Sequence, residues 1–522
     1  MAQDRSTAPY APAGPPESAS APRAVAPAAE SRAARLLARL AAGPWPLPGI
    51  LLVQALLCLR LVWSTTAFQD EGLYLWAGRL EWAHWLHGGS VPDFPAYFSG
   101  APVFYPPLAA LAGHAGGLAA ARLLSLCCML AATALLYAVA KRLLGRGPAI
   151  AGAATFATLG SVQFLGAFAT FDALTISLLA LASWLALRSG SGGRRGEMWL
   201  VACAVVMVLA DAAKYAGLLW NPVVIALAVF ATRGPWRQAL RRGIRLAAYT
   251  AALIAGLLAV AGRSYLTGIM STTLSRPAST APALRVLGIG AEWIGAVVLL
   301  AIIGAAAVTR LRDRRLTVLA WLLVAAALLA PAEQARIQTS FSLFKHVGYG
   351  AWFACIMAGY GLAAMARYFA SARETNSNSL SVLLVVLLAM FGVALSGTAF
   401  GAWPNSSRMI TDLAPIIQRT GCPCLVAQSD VVHYYLQRQT LHDDLTTVFV
   451  LRYRDGGREL TGLPAYRAAI RDHYFRLVEI DPSELPSAYL PVVQALSAAR
   501  YRLVDSTPSN VPAEPLEIWV RR

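Results

Sequence analysis

Eleven apolar stretches separated by short polar connectors fill the middle of the chain, at residues 47–64, 117–140, 148–167, 173–187, 198–213, 218–231, 244–261, 288–308, 316–331, 346–366 and 380–400. Crossing the hydrocarbon core of a bilayer takes about 20 helical residues. Several stretches are shorter than that, yet so many in series predict a polytopic α-helical membrane protein with about eleven transmembrane helices. Of 522 residues, 57% are hydrophobic and 14% charged, against roughly 25% charged in soluble proteins. That balance excludes a cytosolic enzyme and a disordered protein alike.

The net charge of +17 is unevenly spread. Residues 1–400 hold 31 basic and 14 acidic side chains, whereas 401–522 hold 13 of each. The excess sits in clusters between apolar spans, the positive-inside pattern, so nucleic acid is not an expected partner. With a cytosolic N-terminus, 22 basic residues fall on the inner side, against nine in the outer loops and spans combined. This bias predicts a plasma-membrane protein with its N-terminus inside and, the span count being odd, its last ~120 residues outside. Residues 1–46 are rich in Ala, Pro and Ser, carry five arginines and have no apolar run of signal-peptide length. They read as a disordered cytosolic tail.

The outer segment, 401–522, reads as a small α/β domain. C-L-V-A-Q, T-T-V-F-V-L-R-Y, Y-F-R-L-V-E-I, Y-R-L-V-D-S and L-E-I-W-V-R-R have strand patterns, with helix-like L-P-A-Y-R-A-A-I-R-D-H and L-P-V-V-Q-A-L-S-A-A-R between them. Five of the seven cysteines lie in apolar spans, where Cys is a small hydrophobe. Cys422 and Cys424 do not, and their C-P-C spacing looks too tight for an easy disulfide and lacks the partners of a zinc site.

Ionisable side chains are costly at membrane depth, about 2.5 to 3.5 kcal/mol each at its centre, so their placement is informative. On this topology Asp70 and Glu71, Asp172, Asp211, Lys214, Lys345 and His346 all fall at the outer face, on different helices. A carboxylate there could act as a general base on an acceptor hydroxyl, and a lysine could neutralise a phosphate leaving group. Plainer readings compete: Asp172 as a helix N-cap, and Asp211 with Lys214, three apart on one helical face, neutralising each other. Asp70 and Glu71 have no basic neighbour in sequence before Arg79. The outer loop 65–116 is too long for a connector. Its segment 72–86, with Trp76, Trp82 and Trp85, reads as an amphipathic helix lying in the membrane interface, and 109–113 as a second short helix. His84, His87 and His114 read as polar tips rather than metal ligands.

These residues resemble the GT-C superfamily of integral-membrane glycosyltransferases, and within it the protein O-mannosyltransferase and aminoarabinose-transferase group. The resemblance rests on Asp70-Glu71 after the first helix, P-P-L at Pro106 to Leu108 and A-R-L-L-S at Ala121 to Ser125. It continues with K-R-L-L-G at Lys141 to Gly145, Asp172 after F-A-T, and A-K-Y-A-G at Ala213 to Gly217. In order and spacing it covers roughly residues 46–400.

The resemblance implies a GT-C-like transmembrane domain at 47–400 and transfer of a sugar from a polyprenyl-phosphate carrier, with inversion, to an acceptor glycan, lipid or protein. It makes Asp70 the catalytic base and sets Glu71 beside it, shaping the acceptor site or, with Asp70, a divalent metal site. Asp172 becomes the second acid of the cavity. Lys214, Lys345 and His346 fall near the carrier phosphate. Tyr105 stands where the lipid A-modifying branch has a lysine, so one phosphate contact is missing or supplied by another residue. Metal dependence varies across the superfamily and stays open. The rival reading is a transporter or flippase of lipid-linked sugars, which should carry mid-membrane charges and often an internal repeat. Here the charges gather at one end and no repeat is visible. A membrane anchor presenting 401–522 as a binding module would leave the Trp-rich loop unexplained.

Overall fold

The computed structural model describes residues 45–230, 234–276, 278–373, 377–403, 405–440, 444–447, 451–482, 488–508 and 515–522, and the expected N-terminal tail lies outside them except for its last two residues. All eleven apolar stretches fall on helices. They are carried by α1 (Pro46–Val62), α3 (Tyr105–Leu144), the consecutive α4 (Arg146–Thr158) and α5 (Gly160–Leu165), α6 (Phe171–Arg188), α7 (Gly193–Ala213) and α8 (Asn221–Phe230). The series continues with α9 (Trp236–Thr272), α10 (Ala283–Thr309), the consecutive α11 (Arg314–Ala326) and α12 (Leu329–Arg336), α13 (Leu343–Arg373) and α14 (Ser377–Gly401). Among the described residues seven helices are long and apolar enough to cross a membrane alone, or eight if α11 and α12, bent by 44°, form one span. The other three stretches, on α1, α4–α5 and α8, are shorter or broken, as their lengths in the sequence foretold.

Burial sorts these helices. In α13, 83% of the apolar window is covered by protein, whereas in α9 and α14 only 11% is. Helix α13 therefore runs through the centre of the bundle, packed on α10, α4 and α11, and α9 and α14 turn their apolar side chains outward, as lipid-facing helices do. The long first loop contains α2 (Gln69–His87) and the first part of α3. The helical path of α3 breaks at Gly116 and Gly117, where Gly117 takes φ 65° and ψ −159°. A side chain is strained in that region, and the break separates the loop part of α3 from its spanning part.

Residues 407–520 form the α/β unit. It contains α15 (Ser407–Thr420), β1 (Cys424–Val426), α16 (Ser429–Tyr435), β2 (Leu445–Thr447), β3 (Arg452–Asp455) and β4 (Arg458–Thr461), followed by α17 (Gly462–Arg471), β5 (Leu477–Ile480), α18 (Tyr489–Ala498), β6 (Arg502–Thr507) and β7 (Leu516–Val520). Five strands form one sheet in the order β2-β1-β5-β7-β6, with β1 parallel to β2 and β5, and β7 antiparallel to β5 and β6. Two expectations are corrected here. The single strand read from T-T-V-F-V-L-R-Y is split, because Leu445–Thr447 joins the sheet while Arg452–Asp455 pairs with β4 in a separate hairpin. Cys422 and Cys424 are disulfide-bonded: the chain turns between them and holds their Cα atoms 4.7 Å apart, within the usual disulfide range.

The α/β unit rests on the first loop, which alters the expected setting of the Trp-rich helix. A Cβ on Gly72 would stand 2.7 Å from the Asp430 carbonyl oxygen, so a glycine is needed for α16 to approach α2. Trp76 then stacks on His433 at 4.0 Å between ring centroids, and the Arg79 guanidinium lies 4.8 Å over Tyr434. One face of α2 is thus covered by protein instead of lying in the interface, and Trp85 near its end stays exposed.

Candidate active site

Two helix N-termini present the three acids. Asp70 and Glu71 sit in the first turn of α2 and Asp172 in the first turn of α6, where the helix dipole favours negative charge. Their environments differ sharply. Glu71 is fully buried against Arg122: its Oε1 accepts from Arg122 Nε at 2.9 Å and the Ala169 N–H at 2.8 Å, and its Oε2 from Arg122 Nη2 at 2.7 Å and the Phe68 N–H at 3.0 Å. Arg122 also donates to the carbonyls of Val62, Thr65 and Thr66. Glu71 thus ties together the end of α1, the start of α2, the strand-like approach to α6 and α3. All of its acceptor capacity is spent, which corrects the expectation of a second acid facing an acceptor or a metal.

Asp172 is buried as well. Lys214 Nζ lies 2.7 Å from its Oδ1, Tyr349 donates to the same oxygen at 3.0 Å, and Thr170 donates to Oδ2 at 3.0 Å. Thr170, not Asp172, occupies the N-cap of α6. The expected pairing of Asp211 with Lys214 is replaced, for a geometric reason. Helix α7 ends at Ala213, and Lys214 is extended, with φ −149° and ψ 120°, so the two side chains do not share a helical face. Loop residues pin this exit, through Ala101 N–H to the Ala212 carbonyl at 2.8 Å and Tyr215 N–H to the Ser99 carbonyl at 2.9 Å. Asp211 instead accepts from Asn221 Nδ2 at 2.7 Å.

Asp70 is the accessible acid. Its side chain is 35% exposed, and Lys345, at the first turn of α13, reaches its Oδ2 at 2.7 Å. Its Oδ1 accepts no hydrogen bond among the described residues. Lys345 interacts electrostatically with Asp172 as well as Asp70, so the two ion pairs form one alternating cluster at the same end of the bundle. Of the residues expected there, Asp70, Asp172, Lys214, Lys345 and His346 come together, and Tyr105 does not. The Tyr105 ring is buried against Phe171, and its hydroxyl faces Ser125 Oγ at 3.5 Å.

Beside the cluster lies a groove of about 1000 Å³. Most of its lining is apolar, with Val208, Leu219, Ile254, Leu257, Tyr265 and Ile269 among others, and its polar lining includes Asp211, Tyr215, Gln334, His346 and Arg276. Arg276 has no ion pair among the described residues. The His346 and Gln334 side chains bond each other, with Gln334 Nε2 at 2.6 Å from Nδ1. Gln334, Tyr215, Tyr349 and the partnership of Arg122 with Glu71 were not assigned roles from sequence. The A-R-L-L-S and A-K-Y-A-G motifs contain Arg122 and Tyr215, but nothing in the sequence sets Gln334 or Tyr349 apart.

For a divalent cation the fit is poor, because Glu71 faces Arg122 while Asp70 faces Lys345. Among the described residues no three His, Cys, Asp or Glu side chains gather to hold a metal ion. His84 Nδ1 bonds the Gly89 carbonyl at 2.8 Å, as a polar tip would.

Residues 107–261 match the family model described as dolichyl-phosphate-mannose-protein mannosyltransferase. A comparison with curated proteins finds no match. Among solved structures, ArnT from Cupriavidus metallidurans bound to undecaprenyl phosphate is similar with a TM-score of 0.58 and 16% identity, over 91% of this chain and 97% of that one. Its apo form gives a TM-score of 0.57 at 16% identity, over 93% and 98%. The oligosaccharyltransferase AglB from Archaeoglobus fulgidus, in complex with an inhibitory peptide and a dolichol-phosphate, gives 0.56 at 11% identity, over 90% and 75%. The chain therefore has the fold of the GT-C superfamily of integral-membrane glycosyltransferases. Residues 107–261 are similar to the mannosyltransferase family model, and the fold is similar to that of ArnT.

Proposed function

We propose that the protein is an inverting glycosyltransferase that moves a sugar from a polyprenyl-phosphate carrier to an acceptor hydroxyl of a cell-envelope glycan, lipid or protein on the outer face of the plasma membrane. The observation that carries this reading is the juxtaposition, at His346 beside Lys345, of a largely apolar groove suited to a lipid tail with a charge cluster holding one accessible carboxylate. The acceptor hydroxyl attacks the anomeric carbon. A bond forms from its oxygen to that carbon, the bond from carbon to phosphate oxygen breaks, and Asp70 Oδ1 takes the hydroxyl proton. The departing lipid phosphate gains negative charge, which Arg276, Lys345 and Lys214 neutralise. Lys345 keeps Asp70 oriented through the other carboxylate oxygen.

The positive-inside bias supports the orientation. So does the Cys422–Cys424 disulfide, since such bonds persist in oxidising compartments outside the cytosol. The flippase reading is disfavoured by charges collected at one end of the bundle.

The test is transfer from synthetic undecaprenyl-phosphate sugars by the purified protein in detergent, with donor binding followed in parallel. Wild type is expected to transfer or slowly hydrolyse one donor, and Asp70→Asn to bind it without turnover. Movement of the lipid-linked sugar across vesicles with its phosphate bond intact would overturn the reading and favour the flippase.

A further inference from the structure

Four buried polar atoms on side chains that line the groove have no hydrogen-bond partner among the described residues: Asp211 Oδ1, Tyr215 Oη, Gln334 Oε1 and His346 Nε2. The side chains that carry them line one cavity. An unsatisfied buried polar atom is costly, and several around one cavity mark where a ligand supplies the missing bonds.

Their chemistry says which part of a ligand. Gln334 Oε1 can only accept, and the Asp211 carboxyl accepts when ionised and donates when protonated. Tyr215 offers an O–H. The Gln334 amide nitrogen donates to His346 Nδ1, which leaves the neutral imidazole its proton on Nε2, so His346 also donates. The wall thus carries both acceptors and donors. An ionised phosphate monoester only accepts and would leave Gln334 Oε1 unsatisfied. Sugar hydroxyls donate and accept at once and together can meet all four atoms. Asn221 sets the Asp211 carboxylate by holding its other oxygen.

We propose that this wall of the groove is the sugar subsite of the donor, read through ring hydroxyls by Asp211, Tyr215, Gln334 and His346, while the phosphate sits toward Arg276 and the lysines. This moves His346 from the phosphate, where the sequence put it, to the sugar. The inference rests on the glycosyltransferase reading and deepens it.

The experiment compares the affinity of the full-length protein for bare undecaprenyl phosphate with that for its mannosyl, galactosyl and arabinosyl esters, alongside transfer activity. Asp211→Asn, Tyr215→Phe and Gln334→Ala are expected to bind bare undecaprenyl phosphate within about twofold of wild type and to lose roughly tenfold or more for the preferred ester. Arg276→Gln, the phosphate control, should weaken both ligands in parallel. Tyr215→Phe removes one oxygen only, so it keeps the test open if Asp211→Asn fails to fold. Variants that lose both ligands equally, or neither, overturn the sugar subsite while wild-type transfer leaves the glycosyltransferase reading standing. A wild type that transfers no sugar and binds no ester more tightly than bare lipid overturns the reading itself, and the subsite with it.

Discussion

Replacing Glu71 with Gln is the most demanding test of how the loop and bundle are held together. Glu71 and Arg122 are both fully buried, at 2.7 Å, so solvent screens none of their interaction. The carboxylate accepts four hydrogen bonds, two from Arg122 and two from backbone N–H groups. In Glu71→Gln the amide nitrogen must face two of those four donors, and Arg122 keeps its charge without a counter-ion. Removing one partner of a buried pair costs about 3 to 5 kcal/mol, and 1.4 kcal/mol is about tenfold in an equilibrium constant, so the folded-to-unfolded ratio should fall by a hundredfold or more. The assay is unfolding in mixed micelles of rising SDS fraction, followed by tryptophan fluorescence. Arg122→Lys, which keeps the charge but cannot reproduce the fork, should fall between. In Glu71→Gln/Arg122→Met no charge is stranded, and part of the loss should return. A Glu71→Gln protein within about 1 kcal/mol of wild type would refute the reasoning, because the cost of a stranded buried charge would then be absent.

Asp70→Asn takes the ion-pair partner from the buried Lys345 and should cost some stability, while turnover per folded protein should fall by about 10² to 10⁴; equal turnover of both folded proteins would remove Asp70 as the base. Lys214→Met strands Asp172 and should destabilise strongly, and Lys214→Met/Asp172→Asn should recover much of the loss in a double-mutant thermal-melt series. Gly72→Leu drives a side chain into the Asp430 carbonyl and should expose the α/β unit to limited proteolysis while the bundle stays intact; an unchanged cleavage pattern would count against that contact. Maleimide labelling of denatured, unreduced protein should find five thiols and, after reduction, seven, because Cys422 and Cys424 are bonded.

The membrane architecture was legible because a span must be apolar for its whole length, and that signal survives in a single sequence. Helix starts were legible to within two or three residues: the loop helix was read from 72 and begins at Gln69, and Asp172 was read as a cap that Thr170 occupies. What could not be read was pairing across the bundle. Asp211 and Lys214 suit an i,i+3 ion pair in any continuous helix, and only the exit of α7 at Ala213 sends Lys214 to Asp172, 42 positions earlier. Glu71 and Arg122 are 51 positions apart, and no local rule joins them. Tyr105 shows the opposite error, since its place in a motif suggested a ligand contact while its neighbours Phe171 and Ser125 enclose it. Sheet membership failed likewise at 446–453, where one run of strand-forming residues serves two sheets.

Asp70, Glu71 and Asp172 begin as the same chemistry, a carboxylate in the first turn of a helix facing one end of the bundle, and are separated by the cations that reach them. Arg122 has a fork that matches both oxygens of Glu71 and is itself fixed by three carbonyls, so Glu71 becomes part of the frame. Lys214 and Tyr349 converge on one oxygen of Asp172 and Thr170 on the other, so Asp172 fixes the lysine that the proposed mechanism turns toward phosphate. Lys345 takes a single oxygen of Asp70 and leaves the other without a protein partner on the accessible side. A general base needs a free lone pair within reach of a hydroxyl; Glu71 has none left, Asp172 is buried at 1% exposure, and Asp70 is the accessible one of the three. The base in the proposed mechanism is therefore selected by what the arginine and the two lysines leave unoccupied, so a Lys345→Arg variant, whose fork could claim both oxygens of Asp70, should bind donor normally and lose turnover. Full turnover in that variant would show that the free oxygen is not what makes Asp70 the base.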